Sequence, residues 1–500
     1  MSLLLPLLLV VPLLGALALL LAPAGLAERR ARPFGVAISG VTLALAVAAT
    51  AAAAAEEGDG VRLEVDLPWV AALGLRFHLG VDGLSLPLVL LTTALSFLCQ
   101  LYTLRVMPGA GRPRALVGLL LLLEVGLLGT FVALDLLLFF VFFETVLAPM
   151  WFLIAVWGGE QRGRAANTFI LYTLLGSALM LLGFLLVYAR AGTFDLVELA
   201  ARRGQGLGPG VQVLAFMAIA LGLAVKIPMW PLHTWLPDAH TAAPTVGSVL
   251  LAGVLLKMGT YGLVRIGLPV LPYGAQVLAP YLAAFAVAGI VYGSLVCLVQ
   301  RDLKRLVAYS SVGHMGFVLL GIATLTPVGV NGALFANVAH GLITGLLFFL
   351  VGAVKDRHAT SDMAQLGGGL YARTPRLGGL LAFAAVASLG LPGLAGFWGE
   401  MLALLGAFRP AAALDRPLFL VLMALAGLGT LLTAGYLLQM LRRVAQGPPR
   451  EQALGDFPLA DATRHELLVW SPVAAAVLLL GLWPGLLLGV TDPAVRGLLE

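Results

Sequence analysis

Two stretches of this 500-residue chain place a charged side chain beside helix-breaking residues in apolar sequence. They are LGLAVKIPMWPLHTWLP (221–237), which contains Lys226, and GLPGLAGFWGE (390–400), which ends at Glu400. A charge inside a membrane helix costs about 2.5–3.5 kcal/mol on insertion scales, so such a residue is a functional candidate by default. Proline and glycine breaks leave backbone groups that need partners in protein or water. The two stretches therefore predict interrupted membrane helices that line an internal polar cavity.

The composition extends this interpretation to the whole chain. Hydrophobic residues make up 60% of it, charged residues only 11%, and the mean hydropathy is +1.01. A membrane span needs about 20 apolar residues. We predict an all-α polytopic membrane protein with about 14 transmembrane helices and no nucleic-acid partner. The candidate spans are 3–22, 34–54, 84–107, 115–134, 136–158, 166–190, 211–229 (with 237–247 as a second half), 248–270, 277–299, 303–324, 331–354, 377–405, 417–442 and 466–490.

The charges between the spans predict the orientation in the membrane. With fourteen helices, alternate loops are basic, and most of the 30 Lys and Arg residues fall on one side. By the positive-inside rule, that side faces the cytoplasm, and both termini lie on the outer side of the cell inner membrane. Alternating apolar and polar residues over 61–79 predict a short external β-hairpin. Residues 195–203 are expected to form a short interfacial helix.

The order of the helices indicates an internal repeat. Two blocks of five spans, 115–270 and 277–442, each carry a discontinuous helix in fourth place, which is helix 7 in the first block and helix 12 in the second. Because five is an odd number, the second block is inverted relative to the first, which is the pattern of secondary transporters. Residues 1–107 then form three N-terminal helices with the hairpin, and 466–490 form a C-terminal helix.

Buried acidic and basic residues form a candidate proton path. Lys226 and Lys257 lie within spans, although the chain has only four lysines. A buried lysine can release its proton, whereas arginine stays protonated. Glu144, early in helix 5, is the expected partner of Lys226, and Glu400 is the terminal site. The alternative is a static buried ion pair that holds two helices together.

Three histidines and two further acidic residues are additional candidates. His314 and His340 lie in helices 10 and 11 and are expected to relay protons between Lys257 and Glu400, because imidazole titrates near neutral pH. His233 is placed between two prolines and could guard the cytoplasmic mouth. Two further acidic residues are accessory candidates: Glu124, as a contact with an adjacent subunit, and Asp135, as a solvated group at a helix junction.

Six stretches resemble the antiporter-like membrane subunits of respiratory complex I (NADH:quinone oxidoreductase), which are related to multisubunit sodium/proton antiporters. The family's key residues match Glu144, Lys226 and Lys257. A terminal Glu400, where sister subunits typically carry lysine, resembles the M type. The matching stretches are GVDGLSLPLVLLTT (80–93), FFETVLAPM (142–150), AVKIPMWPLHTWLPDAHTAAP (224–244), LLKMGTYGLVR (255–265), RDLKRLVAYSSVGHMG (301–316) and GLPGLAGFWGE (390–400).

The resemblance implies a proton-translocating subunit that is coupled to quinone reduction elsewhere in the complex. Its expected partners are L-type and N-type antiporter-like subunits, other complex I membrane subunits and the lipid bilayer. We expect this chain to bind no cofactor or metal, while the whole complex uses FMN, iron–sulfur clusters, NADH and quinone. The alternatives are a subunit of a multisubunit Na⁺/H⁺ antiporter or of a membrane-bound hydrogenase, and an inert membrane scaffold.

Overall fold

The structure, a computed structural model, describes residues 3–56, 60–70, 72, 74–447 and 460–499. It is a bundle of helices with one two-stranded antiparallel hairpin. The first half contains α1 (Leu4–Leu21), α2 (Ala24–Ala55), β1 (Arg62–Val70), β2 (Leu75–Val81), α3 (Leu86–Thr103), α4 (Pro113–Val132), α5 (Leu136–Thr145), α6 (Leu147–Trp157), α7 (Arg162–Ala191), α8 (Leu196–Arg202), α9 (Pro209–Lys226) and α10 (Trp235–Ala242).

The second half begins with one long helix, Thr245–Val270, made of α11 (Thr245–Leu250), α12 (Leu256–Gly262) and α13 (Leu268–Val270) joined by two π-helical turns. The remaining helices are α14 (Pro272–Val299), α15 (Leu303–Ala323), α16 (Pro327–His358), α17 (Met363–Leu366), α18 (Leu370–Arg373), α19 (Pro375–Ser388), α20 (Ala395–Phe408), α21 (Arg416–Val444), α22 (Arg464–Leu482) and α23 (Gly485–Leu499).

The predicted membrane architecture is confirmed. Among the described residues, 13 helices are long and apolar enough to cross a membrane, and α19 with α20 forms a further, interrupted span. Both predicted breaks are present, since α9 stops at Lys226 and the chain becomes helical again only at Trp235. Between α19 and α20, Gly390 (φ +79°) and Gly393 (φ +93°) adopt left-handed backbone, which glycine reaches without steric cost.

A repeated backbone contact supports the inverted repeat. Asp135 forms a β-bridge with Asp195, and Asp302 forms the equivalent bridge with Asp362. In each pair the first aspartate caps a membrane helix, α5 or α15, and the second caps a short helix, α8 or α17. The spacing along the chain is the same in both pairs. Five spans separate the two bridges, so they lie on opposite faces of the membrane.

The hairpin and the short helix are also where the sequence predicted them. β1 and β2 pair with Asp66 opposite His78, although turn residues 71 and 73 of the predicted hairpin lie outside the described residues. The short helix α8 matches the prediction for 195–203. We call the membrane face that carries β1 and β2 the hairpin face.

Two of the predicted spans are interrupted rather than continuous helices. The last span, 466–490, is two helices that meet at Trp483 and Pro484, because the residue before proline is disfavoured in α conformation. The span 136–158 breaks between α5 and α6, where Pro149 has no amide hydrogen to donate to the carbonyl of Thr145. The order and number of spans are unaffected by either difference.

The centre of the bundle is formed by three helices that carry site residues. Every residue in the most apolar window of α16 is buried, and so are nearly all those of Thr245–Val270 and α15. By contrast, α2, α7 and α21 expose apolar side chains over more than half of their length, as lipid-facing or subunit-facing helices do. Lys257, His314 and His340 are therefore shielded by other helices of the same chain.

Candidate functional site

Lys226 lies at the C-terminal end of α9, where the break in the helix begins. Its side chain is 2% exposed, and its Nζ donates a hydrogen bond to the carbonyl of Phe143 at 3.0 Å. The ammonium also lies 3.7 Å from the centroid of the Phe143 ring. A cation is favoured near a helix C-terminus, which carries partial negative charge. Trp235, from the far side of the break, donates its indole N–H to the carbonyl of Val225 at 2.9 Å.

Glu144 follows Phe143 in α5 and lies beside Lys226 without contacting it directly. Among the described residues, the two side chains form no ion pair, although their charges interact. The Glu144 carboxyl lies near Ser177 of α7, and its Oε1 has no hydrogen-bond partner in the described part of the chain. Glu144 and Lys226 are therefore neighbours, as expected, but the direct hydrogen-bond partner of the lysine is the Phe143 carbonyl.

Lys257 is fully buried between the two π-helical turns, Leu251–Leu255 and Leu263–Gly267. Its Nζ contacts Nδ1 of His340 at 2.7 Å and also donates to the carbonyl of Ala252. π-Helical turns inside α-helices are frequently found at functional sites. The structure thus places Lys257 in direct contact with one of the two predicted relay histidines.

The second predicted relay histidine contacts the terminal glutamate. Nδ1 of His314 lies 3.0 Å from Oε1 of Glu400, and its Nε2 lies 3.0 Å from the hydroxyl of Ser388. The ring centroids of His314 and His340 are 5.7 Å apart. Ser388 is the last residue of α19, so the break in this span brings its hydroxyl to the histidine. Sequence analysis missed Ser388, which no charge or motif distinguishes.

A small cavity fills the gap between the two histidines. Its volume is about 20 Å³, and its lining includes His314, His340, Ser388 and Glu400. A cavity needs roughly 10–15 Å³ of this kind to hold one water molecule, together with polar partners. Nε2 of His340 is buried and has no hydrogen-bond partner among the described residues. The cavity can therefore hold a water that connects this nitrogen with the groups around His314.

A larger cavity opens on the face opposite the hairpin. Its volume is about 450 Å³, and Lys304, Lys355 and Asp356 contribute charged groups to its lining. Lys304, the second residue of α15, is only 3% exposed, and its Nζ donates to the carbonyl of Ala243 at 2.5 Å. The end of α10 is thereby joined to the start of α15 beside this cavity.

His240 is a site residue that the sequence analysis did not single out. It is fully buried in α10, stacks on Phe348 with ring centroids 4.5 Å apart, and interacts electrostatically with both Lys304 and Lys257. Neither ring nitrogen has a hydrogen-bond partner in the described structure. The sequence did carry one signal for His240: it lies on the second half of a broken span, seven residues after His233.

Three other candidates occupy different surroundings from those expected. His233 is buried next to Tyr292 and Tyr309 and does not line the cavity beside Lys304. Asp135 is fully buried and is not solvated, because it caps α5 by accepting backbone N–H groups at 2.9 and 3.0 Å. Glu124 is fully buried within α4, so this side chain does not reach the surface that an adjacent subunit would contact.

A broken-helix bundle with buried lysines, histidines and glutamates defines an antiporter-like membrane protein. Residues 133–429 match the family described as NADH:quinone oxidoreductase/Mrp antiporter, TM. Subunit M of the NADH-quinone oxidoreductase of Rhodobacter capsulatus is 42% identical over 451 residues, which cover 88% of this chain and 85% of the relative. Chain 4 of the NAD(P)H-quinone oxidoreductase of Gloeobacter violaceus is 38% identical over 478 residues, covering 95% and 88%.

Solved structures show the same fold. A chain of respiratory complex I from Thermus thermophilus with bound NADH superposes with a TM-score of 0.87 at 31% identity, covering 99% of both chains. A chain of the Mrp complex from Dietzia sp. DQ12-45-1b superposes with a TM-score of 0.85 at 22% identity, covering 100% and 97%. The chain belongs to the NADH:quinone oxidoreductase/Mrp antiporter membrane family, as an M-type antiporter-like subunit of complex I.

Proposed function

We propose that this subunit translocates protons across the membrane along the buried Lys257–His340–His314–Glu400 chain. The observation that carries the proposal is the continuity of this chain. Lys257 contacts His340, His314 contacts Glu400, and a cavity large enough for one water lies between the two histidines. Each member can bind and release a proton, whereas a structural core would not need four ionisable groups in succession.

The proposed order of transfer runs from the face with Lys304 to the hairpin face. A proton enters from the cavity beside Lys304 and reaches Lys257 through His240. Lys257 passes it to Nδ1 of His340, whose Nε2 then releases a proton to the water in the small cavity. The hydroxyl of Ser388 can accept a proton from that water and donate its own to Nε2 of His314, because a hydroxyl is both donor and acceptor.

Glu400 is the terminal group of the path. It receives the proton from Nδ1 of His314 and releases it toward the hairpin face. The break between α19 and α20 lets the carboxyl approach the backbone closely, since a Cβ placed on Gly390 would lie only 3.3 Å from Oε2 of Glu400. We assign the hairpin face to the outside and the face with Lys304 to the cytoplasm, in agreement with the distribution of basic loops.

Glu144 and Lys226 form a second unit that controls the first. Lys226 is held by the Phe143 carbonyl, and its charge interacts with Glu144. A movement of α5 that closes or opens the Glu144–Lys226 distance changes how strongly the lysine holds its proton. Because α9 packs against the helix that contains Lys257, a change in the charge of Lys226 changes the electrostatic potential at Lys257.

The surrounding complex supplies the driving force. We propose that L-type and N-type antiporter-like subunits flank this chain in the cell inner membrane, and that both of its termini are external. FMN, iron–sulfur clusters and the NADH and quinone sites would belong to other subunits. The first and second five-helix blocks, 115–270 and 277–442, would be the units that move relative to each other, with 1–107 and 466–490 packed around them.

The test is replacement of Lys257 by methionine in the assembled complex. Membrane vesicles carrying Lys257→Met should lose most NADH-driven proton uptake per assembled complex, while Arg190→Met, at an exposed position near the end of α7, should pump as the wild type does. Pumping should not depend on Na⁺ when choline replaces it, which separates this function from Na⁺/H⁺ antiport. Normal proton uptake in Lys257→Met would refute the proposal.

A further inference from the structure

The β-hairpin carries a cluster of potential metal ligands that the proton path does not use. Glu64 and Asp66 lie two residues apart on β1 and therefore project from the same face of the strand. His78 lies opposite Asp66 on β2. One ligand atom from each of the three residues lies within 4.8 Å of the other two. Two carboxylates and an imidazole are a ligand set that zinc accepts.

His78 is held in the orientation that a metal ligand requires. Its Nδ1 lies 2.6 Å from Oδ2 of Asp195, and its Nε2 lies 2.7 Å from Oε1 of Glu64. Metal-binding histidines almost always donate the second ring nitrogen to a carboxylate or carbonyl, which fixes the tautomer. Asp195 can accept this hydrogen bond because its carboxylate is held in place as the N-cap of α8. The lone pair of Nε2 then faces Glu64.

The contacts of His78 require a hydrogen atom or a metal ion between Nε2 and Glu64. A neutral imidazole donates only one N–H, so it cannot donate to Asp195 and to Glu64 at the same time. Either a second proton or a metal ion must occupy the position next to Nε2. A proton and a metal ion therefore compete for one place.

We propose that this hairpin binds a divalent transition-metal ion of the zinc class through Nε2 of His78 and the carboxylates of Glu64 and Asp66. The imidazole is 3% exposed, whereas the side chains of Glu64 and Asp66 are 50% and 26% exposed, so an ion from the aqueous phase can reach them. Water completes the coordination, as in zinc sites with three protein ligands. The ion links β1 to β2 and, through Asp195, to the start of α8.

Arg76 is the group that an arriving ion must displace. It lies on β2 two residues before His78, and its guanidinium makes two hydrogen bonds to the carboxylate of Asp66. The side chain is 50% exposed, so it can leave Asp66 without being buried elsewhere. The carboxylates of Glu64 and Asp66 together balance the charge of a divalent ion. Asp66 then no longer needs Arg76 to neutralise its negative charge.

The experiment measures ⁶⁵Zn²⁺ binding to the purified complex by equilibrium dialysis. Wild-type complex should bind one more ion than His78→Gln, and Glu64→Gln, at an exposed position, should weaken that site at least tenfold. Arg76→Ala should bind the ion several-fold more tightly, because the competing cation is gone. The matched control is Arg202→Ala, which removes a partly exposed arginine paired with Glu198 of α8 and should leave binding unchanged.

The outcomes separate a metal site from a protonated histidine. Zinc X-ray absorption of the wild type should show nitrogen and oxygen ligands that include an imidazole, and this signal should disappear in His78→Gln. Assembly and NADH-driven activity of each variant show whether the complex is intact. Equal zinc stoichiometry in the wild type, His78→Gln and Glu64→Gln would overturn the proposal and leave a proton at this position. Unchanged affinity in Arg76→Ala would also overturn it.

Discussion

Replacement of Glu400 by glutamine tests the last step of the proposed path. Glutamine keeps the size of the side chain but cannot take up or release a proton. It also removes the negative charge 3.0 Å from Nδ1 of His314. A hydrogen bond to a charged group contributes about 1.5–3 kcal/mol. Since a tenfold change in an equilibrium constant corresponds to about 1.4 kcal/mol, a contribution of this size corresponds to a change of about 10- to 150-fold.

We therefore expect proton uptake by Glu400→Gln vesicles to fall at least tenfold per assembled complex. The assay is quenching of a pH-sensitive dye after NADH addition, normalised to the amount of complex and compared with its quinone reductase rate. Glu400→Asp should retain part of the activity, because the cavity beside His314 can hold a water that spans the shorter side chain. Glu198→Gln, at an exposed site on α8, is the control. Wild-type pumping in Glu400→Gln would remove this residue from the path.

Substitutions at four further residues test the other members of the site. Lys226→Ala should abolish coupled proton transport while assembly is retained. Lys226→Arg should not restore transport, because arginine does not release its proton. Normal pumping by Lys226→Ala membranes would contradict the placement of Lys226 in the proton path. Glu144→Gln should reduce turnover strongly and Glu144→Asp less so, whereas equal rates for Gln and wild type would assign Glu144 a structural role. His340→Gln and His314→Gln should each slow pumping less than Lys226→Ala, since water can bridge one missing member; complete loss with normal assembly would make that histidine an obligatory site.

Much of the fold could be predicted because membrane helices are long and apolar. The breaks after Lys226 and before Glu400 could be placed because proline and glycine cannot continue a helix without cost. The division of the final span at Trp483 was missed, although Pro484 marked it. The π-helical turns around Lys257 could not be predicted, because no residue type in LLAGVLLKMGTYG (250–262) requires them.

The candidate site was predicted less completely than the fold. Charged residues in apolar spans are conspicuous, so Lys257, His340, His314 and Glu400 were identified together. The structure places them in two contacting pairs, Lys257 with His340 and His314 with Glu400, beside one small cavity. Contacts between side chains and backbone carbonyls leave no pattern in a sequence, which is why the Phe143 carbonyl was not anticipated as the partner of Lys226. Ser388 was missed for the related reason that hydroxyl residues are common in membrane helices.

The paired aspartate bridges give the two blocks of the bundle a simple mechanical property. Each bridge fixes one end of a helix, and a residue of the proposed proton path lies some distance along it: Glu144 is nine residues beyond Asp135, and His314 is twelve beyond Asp302. At 1.5 Å per residue these lever arms are about 13 and 18 Å. A tilt of about 5° at the fixed end then moves Glu144 by about 1.2 Å and His314 by about 1.6 Å, enough to make or break a hydrogen bond. Because the two pivots lie on opposite faces of the membrane, one rocking motion can open one contact while it closes the other.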